Sequence, residues 1–341
     1  MNNKDLKKVV ESALDKQKVP HVKLKKIGAS KVDVASLTEP SKETRQEYWG
    51  KGLTYCAIIL IIILVASIIG FIGFHGLETF TKDHVNVFQF LTSSDWDPGE
   101  GKNHVGAAAM IVTSFSVTLL AALVATPFAI AVALFMTEYS SKKGARFLQS
   151  VIELLVGIPS VVYGLLGIYL LNPFMYKIEL WIFKDSETHQ FTGGANLLSA
   201  VLVLAIMILP TVINISETSI RAVNPSIKAA SLALGASHMQ TIFRMIIPAA
   251  KSGIVTAIVL GVGRAIGEAM AITLVSGSSV NMPLPFNSVR FLTTAIVSEM
   301  GYSQGTHRQV LFTIGLVLFV FIMVINITLS KILKKGEVEH D

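Results

Sequence analysis

Cysteine is nearly absent: the 341-residue chain holds only Cys56. One cysteine closes no disulfide and builds no thiolate metal centre, so a disulfide scaffold and a zinc site are excluded. Charge is scarce as well. Asp, Glu, Lys and Arg make up 15% of the residues, against about a quarter in soluble domains. None of the eight histidines falls inside a long apolar run, which argues against a metal centre at membrane depth. A Gly-x-x-x-x-Gly-Lys-Ser/Thr loop is missing too, so the chain has no phosphate-cradling nucleotide site of that type. An ordinary water-soluble enzyme does not fit these shortages.

What the chain has in quantity is apolar residues, 52% of the total, and they are clumped. A helix needs about 20 apolar residues to cross the hydrocarbon core. Six runs meet that need, at 53–74, 106–136, 151–171, 196–215, 253–275 and 309–329. The pattern predicts an all-α integral membrane protein with six transmembrane helices. The second run is too long for one straight span and predicts a tilt or a bend near Pro127. The third is interrupted by Gly157-Ile-Pro-Ser160.

The net charge of +6 is distributed unevenly. Twenty-two of the 29 Lys and Arg residues lie before the first run, in the 137–150 and 216–252 connectors, and after the last run. The positive-inside rule then places both termini in the cytoplasm. It also makes this excess a membrane-surface feature and not a sign of nucleic-acid binding. Residues 1–51 read as a cytoplasmic tail, 52–335 as the membrane domain and 336–341 as a short cytoplasmic tail. About fifty polar residues precede the first run, so that run is not a cleaved signal peptide. Within the tail, residues 4–19 place Leu6, Val9, Val10 and Leu14 on one helical face. Such a helix either lies on anionic lipid or belongs to a solvated tail.

Two segments carry the functional signal. The fifth run holds Arg264 and Glu268. An arginine at mid-bilayer costs about 2.5–3.5 kcal/mol on insertion scales, so it faces protein or water. The spacing of four predicts that the two share one helix face and pair. Two readings of the pair are open: an anion-conducting site, or an ion pair that locks helix packing. Gly261, Gly263 and Gly267 predict close approach of another backbone or a ligand. Glu153 and Ser160 are further candidates for the substrate pathway. Glu153 stands near the end of the third run, where it either caps locally or lines the path. Pro159 and Ser160 break that run at depth, as a pathway wall or as a packing kink.

The second segment is the 216–252 connector. Pro225 starts a helix, Gly235 ends it, and a second helix runs to Pro248. Paired short helices with apolar faces suit either docking into a partner's groove or lying on lipid.

This connector resembles the cytoplasmic signature of bacterial ABC-importer permeases, Glu-Ala-Ala-x-x-x-Gly followed by an Ile-x-Leu-Pro-like end. The matching positions are Ala229, Ala230, Ser231, Gly235 and Met245-Ile-Ile-Pro248. Ala229 stands where the family has Glu. Trp96-Asp-Pro98, Glu153-Leu-Leu-Val-Gly-Ile-Pro-Ser160 with Val161-Val-Tyr-Gly164, Ile206-Met-Ile-Leu-Pro210 and Gly263-Arg-Ala-Ile-Gly-Glu-Ala-Met270 extend the resemblance. Together they are similar to the phosphate-specific permeases, and to the C-type subunit (PstC) more than the A-type. Ala269 departs from the family's usual Thr. The resemblance covers about residues 50–335.

It implies a type I (MetI-like) permease fold in a bacterial cell membrane and ATP-driven uptake of inorganic phosphate by alternating access. It implies no cofactor on this chain, with ATP used by a separate ATPase pair that the connector seats upon. It also implies a homologous A-type permease subunit, an extracytoplasmic phosphate-binding protein and a lipid environment as partners. A permease for another oxyanion, molybdate or sulfate, is the nearest alternative. An ion-coupled secondary transporter or channel is a different class, but no internal repeat is evident. An intramembrane enzyme would need a nucleophile–base set or metal ligands at depth. The runs supply only Arg264, Glu268 and Glu153 as ionisable groups.

Overall fold

The computed structural model describes residues 42–99 and 104–338. The proposed helix at 4–19 lies outside the described residues. The chain divides into two compact units, Met1–Ala66 and Ser67–Asp341. In the first, residues 48–66 form an α-helix whose large apolar side chains, such as Leu53, Ile59 and Ile63, are all exposed. A helix that is apolar on every side belongs in hydrocarbon.

This helix, α1 (Lys42–Thr81), continues into the second unit. It starts inside the segment read as a tail, and the last helix, α14 (Gly305–Val338), runs beyond 335. Within the second unit the end of α1 packs on α14. The Thr313 hydroxyl donates to the Gly76 carbonyl at 2.8 Å.

After α2 (Val87–Thr92) comes α3 (Ala108–Leu134), which ends in a π-turn, Phe135–Tyr139. Helix α3 runs without a break through Pro127. Its buried stripe is Val117, Ala121, Ala125, Ala129 and Ala133. Small residues at a spacing of four let a neighbouring backbone come close. That neighbour is α7 (Leu197–Arg221), and Val203, Leu204, Ile208 and Val212 complete the main core with it.

The third crossing differs from expectation. The 151–171 run is not one helix. Helix α4 (Lys142–Gly157) ends there, and α5 (Ser160–Leu166) begins a new helix that continues through a π-turn (Gly167–Leu171) into α6 (Asn172–Ile182). The crossing is thus Ser160–Ile182. Pro159 has no amide hydrogen to offer and forces the preceding residue out of helical geometry. Ile158 is accordingly extended, at φ −71° and ψ 126°. The apolar content of α4 falls on one face, so it does not suit a span.

The fifth crossing is also broken. Helix α8 (Pro225–Ala233) and α9 (His238–Thr241), which continues through Ile242–Ile246 and α10 (Ile247–Ala249), form a hairpin. The chain then bends by 68° into α11 (Lys251–Ile266). Helix α11 stops at Gly267, and α12 (Met270–Val275) follows. Helix α13 (Leu292–Glu299) precedes α14.

Among the described residues, five helices are long and apolar enough to cross a membrane, or six if the bent pair ending in α11 counts as one. Among the described residues, extended pairing is limited to two isolated bridges, Trp96 with Val105 and Gly277 with Val289.

Candidate functional site

Helix α11 has two unlike faces. Ile254, Ala257, Gly261 and Ala265 are buried. A Cβ on Gly261 would lie 2.8 Å from Val212 and 2.9 Å from Ile208, so this glycine sets the close approach to α7. The other face carries Leu260, Gly263, Arg264 and Gly267, one helical turn apart. A Cβ on Gly263 would meet nothing within 4 Å. Leu260 is 51% exposed, and Arg264 and Gly267 are exposed too. Of the three glycines, Gly261 alone serves packing within the chain.

The expected Arg264–Glu268 pair does not form. Among the described residues no ion pair joins them. The helix ends between them, which destroys the spacing-of-four geometry. The Glu268 carboxylate instead accepts the Ala271 amide hydrogen at 3.0 Å, capping α12. The Glu268 carbonyl accepts the Thr293 hydroxyl at 3.0 Å, which anchors the break to α13. Tyr163 of α5 lies within electrostatic range of Arg264.

Tyr163 also closes the Pro159 break. Its hydroxyl donates to the Leu155 carbonyl at 2.8 Å, satisfying a group that the interrupted helix frees. Ser160 is half-buried at the start of α5. One and two turns further on, α5 and its continuation meet α12. A Cβ on Gly164 would lie 3.0 Å from the Ala271 Cα, and one on Gly167 would lie 2.4 Å from Val275. The two interrupted crossings therefore run together, with Ser160, Tyr163, Arg264 and Glu268 around them. Glu153 is not part of this group. It is exposed on α4, outside the crossings, and accepts from Gln149 at 3.0 Å.

The ionisable inventory of the crossings is larger than the runs suggested. Lys177 and Glu179 lie within the 160–182 crossing, while His75 and His307 lie in the first and last. Glu179 has no exposed surface. It accepts from the Thr192 amide at 3.0 Å, takes the Thr192 hydroxyl on both oxygens and lies 2.9 Å from His189 Nε2. Phe183 stacks on His189 at 3.8 Å. These contacts staple the 183–196 connector to α6. Beside them lies a recess of about 510 Å³ lined by His189, Thr192, Ser279, Asn281 and Ser288.

The connector hairpin has the predicted form. Asn224 caps α8 at the Ser226 amide, and Pro225 opens it. Gly235 ends it in the left-handed region, at φ +84°. Ser237 and Gln240 make a reciprocal capping box on α9. Ala229 and Ala230 are exposed, whereas Ser231 is buried and bonds Thr241 at 2.9 Å, clipping the two helices together. The second helix passes through Pro248 and ends at Ala249, one residue beyond the expected stop. The outer face is apolar: Leu234 is 90% exposed, and Leu232, Met239 and Phe243 are exposed beside it.

Comparison with known proteins agrees with this arrangement. The profile of the family described as binding-protein-dependent transport system inner membrane component matches residues 125–335. The chain belongs to this permease family. The permease is 41% identical over 301 residues to the probable ABC transporter permease protein YqgH of Bacillus subtilis, covering 85% of this chain and 94% of that one. It is 30% identical to the phosphate transport system permease protein PstC of Pasteurella multocida, covering 81% and 87%. It is 32% identical to PstC of Mesorhizobium japonicum, covering 80% and 85%.

The permease also shares its fold with a chain from the crystal structure of a bacterial ABC transporter involved in alginate import. The TM-score is 0.60 at 17% identity, over 86% of this chain and 98% of that one. It is a multi-pass membrane protein with the fold of an ABC-importer permease.

Proposed function

We propose that this permease carries inorganic phosphate across a bacterial cytoplasmic membrane as one subunit of an ATP-driven importer. The reading rests on Arg264. It sits about 20 Å along α11 from Lys251, at 1.5 Å per residue, exposed beside the open space at Gly263. Hydrocarbon is a poor setting for a guanidinium. A watery path between this chain and a second permease subunit is a good one. There the planar fork of donors matches phosphate oxygens. Ser160, Tyr163 and the Glu268 break shape the wall of that path, and Glu153 lies outside it. Phosphate as the oxyanion is supported by the names of the relatives of similar length.

Orientation follows from charge: 22 of 29 basic residues put both termini and the hairpin in the cytoplasm. The hairpin seats on one of two ATPase subunits through Leu232, Leu234 and Phe243. ATP is bound and hydrolysed there and not by this chain, which takes no cofactor of its own. The remaining partners are an A-type permease subunit and an external phosphate-binding protein. A related arrangement is seen in the alginate transporter, solved in complex with its periplasmic protein. ATP binding closes the ATPases and moves the hairpin, the crossings open outward, and the binding protein releases phosphate toward Arg264.

The test is phosphate uptake by inside-in membrane vesicles carrying all subunits, with sulfate and molybdate as competitors. ATP-dependent phosphate uptake that neither competitor reduces supports the reading. Preferred uptake of sulfate or molybdate reassigns the substrate. Uptake without any ATPase subunit points to a secondary transporter.

A further inference from the structure

The hairpin's outer face is free for a partner, but its inner face must pass motion to the bundle. Three sets of contacts touch that inner face. One is apolar: Ile242, Ile246 and Ala250 pack with Ala133 and Ile220 at the ends of α3 and α7. Apolar packing is non-directional and does not by itself fix register. The other two are polar and converge on the π-turn that ends α3.

Glu138, in that turn, is nearly buried, with a side chain 9% exposed. One of its carboxylate oxygens lies 2.5 Å from Lys228 Nζ on α8 and 3.5 Å from His238 Nε2 on α9. A single carboxylate thus bridges both helices of the hairpin. Next to it, the Tyr139 hydroxyl donates to the Met239 sulfur at 2.7 Å, and its ring meets His238 edge to face at 5.2 Å. The Ser231–Thr241 bond makes the two hairpin helices one body. Helix α3, in turn, is packed along its alanine stripe against α7.

We infer that the Glu138–Lys228–His238 bridge is the joint that transmits hairpin motion to α3, with Glu138 as a positioning residue for coupled transport. The inference rests on the importer reading above. A largely desolvated carboxylate is costly to leave without a partner. It therefore stays with Lys228 and His238 as the hairpin moves, and the end of α3 moves with it. The apolar cluster holds the parts together, and the ion pair makes them move in register.

The experiment uses the full complex in proteoliposomes with the binding protein, and reads phosphate carried per ATP hydrolysed for each assembled complex. Glu138→Gln is expected to keep hydrolysing ATP while the ratio falls about fivefold or more, the low end of ordinary coupling between sites. The swapped pair Glu138→Lys with Lys228→Glu is expected to restore much of the ratio. Lys228→Gln leaves Glu138 with His238 and is expected to assemble with a smaller loss. It decides the matter if Glu138→Gln does not assemble.

A purely structural role lowers the yield of complex and leaves the ratio unchanged. An assembled Glu138→Gln or Lys228→Gln complex with the wild-type ratio therefore overturns the joint alone. A wild-type complex that hydrolyses ATP and moves no phosphate overturns the importer reading and the joint with it.

Discussion

Glu268 and Ala271 form an N-terminal cap: the carboxylate accepts the Ala271 amide hydrogen at 3.0 Å and secures the start of α12. Arg264 is left facing the open side of α11. The two residues therefore have separate tasks, and their variants separate too. Arg264→Gln is expected to abolish phosphate uptake in a complex that still assembles. Glu268→Gln keeps an oxygen for the cap and is expected to be mild. Glu268→Ala removes the cap at a cost of about 0.5–2 kcal/mol and lowers the thermal midpoint. Uptake and thermal unfolding of the purified complex check both. The Arg264→Gln, Glu268→Gln double variant should stay inactive, and wild-type uptake there would make Arg264 dispensable.

Gly235 holds φ at +84° at the end of α8. No Cβ clash awaits a larger residue there, so the cost is conformational. Gly235→Ala is expected to destabilise the hairpin by about 1–2 kcal/mol. Gly235→Pro is incompatible with that φ and should abolish transport while the chain still inserts. Leu234→Asp leaves the fold alone, because the side chain is exposed, and should reduce ATPase copurification. Undiminished copurification would leave the apolar tip as a lipid contact.

Glu179 concentrates the contacts of the 183–196 connector on one carboxylate. Glu179→Ala leaves the half-buried His189 and Thr192 without the acceptor they share. Losing hydrogen bonds to a buried carboxylate costs about 1.5–3 kcal/mol, so the complex should unfold at lower temperature. Glu179→Gln retains an acceptor and is expected to lie between. Thermal unfolding in detergent measures the order, and equal midpoints for all three proteins would show that the cluster contributes nothing.

The crossing order predicts sidedness. In a Cys56→Ser background, single cysteines at Asp185 and Gln304 should react with an impermeant thiol reagent added outside intact cells. One at Leu234 should react only after the cells are opened. All three positions are exposed. Labelling of only one of the outer pair would contradict six crossings.

Part of the site was readable before folding because its cues are local. Pro225 and Gly235 each act on neighbours within a turn, and the two hairpin helices they predict are present, the second running one residue past Pro248. Pro159 also acts locally, yet its effect was underestimated. The apolar run continued past it, so 151–171 read as one kinked span. The run as read stops at Leu171, before Asn172-Pro173, whereas the crossing extends to Ile182 and takes in Lys177 and Glu179. Glu179 is tolerated because His189 and Thr192, 10 and 13 residues on in the adjoining connector, bond to it. Glu138 left no sequence signal at all, since its partners lie 90 and 100 residues away.

The sequence by itself determined that this is a multi-span membrane protein with one basic side, a broken helical hairpin on that side and an arginine at depth. Those properties depend on composition, period and residues within a turn. Only the tertiary structure decided which groups pair. The Thr293 hydroxyl and the Ala271 amide claim Glu268, so Arg264 loses the partner that spacing promised. Tyr163 claims the Leu155 carbonyl, which lets α4 and α5 separate. Such choices depend on contacts between segments, and a break of two or three residues in a helix is enough to redirect them.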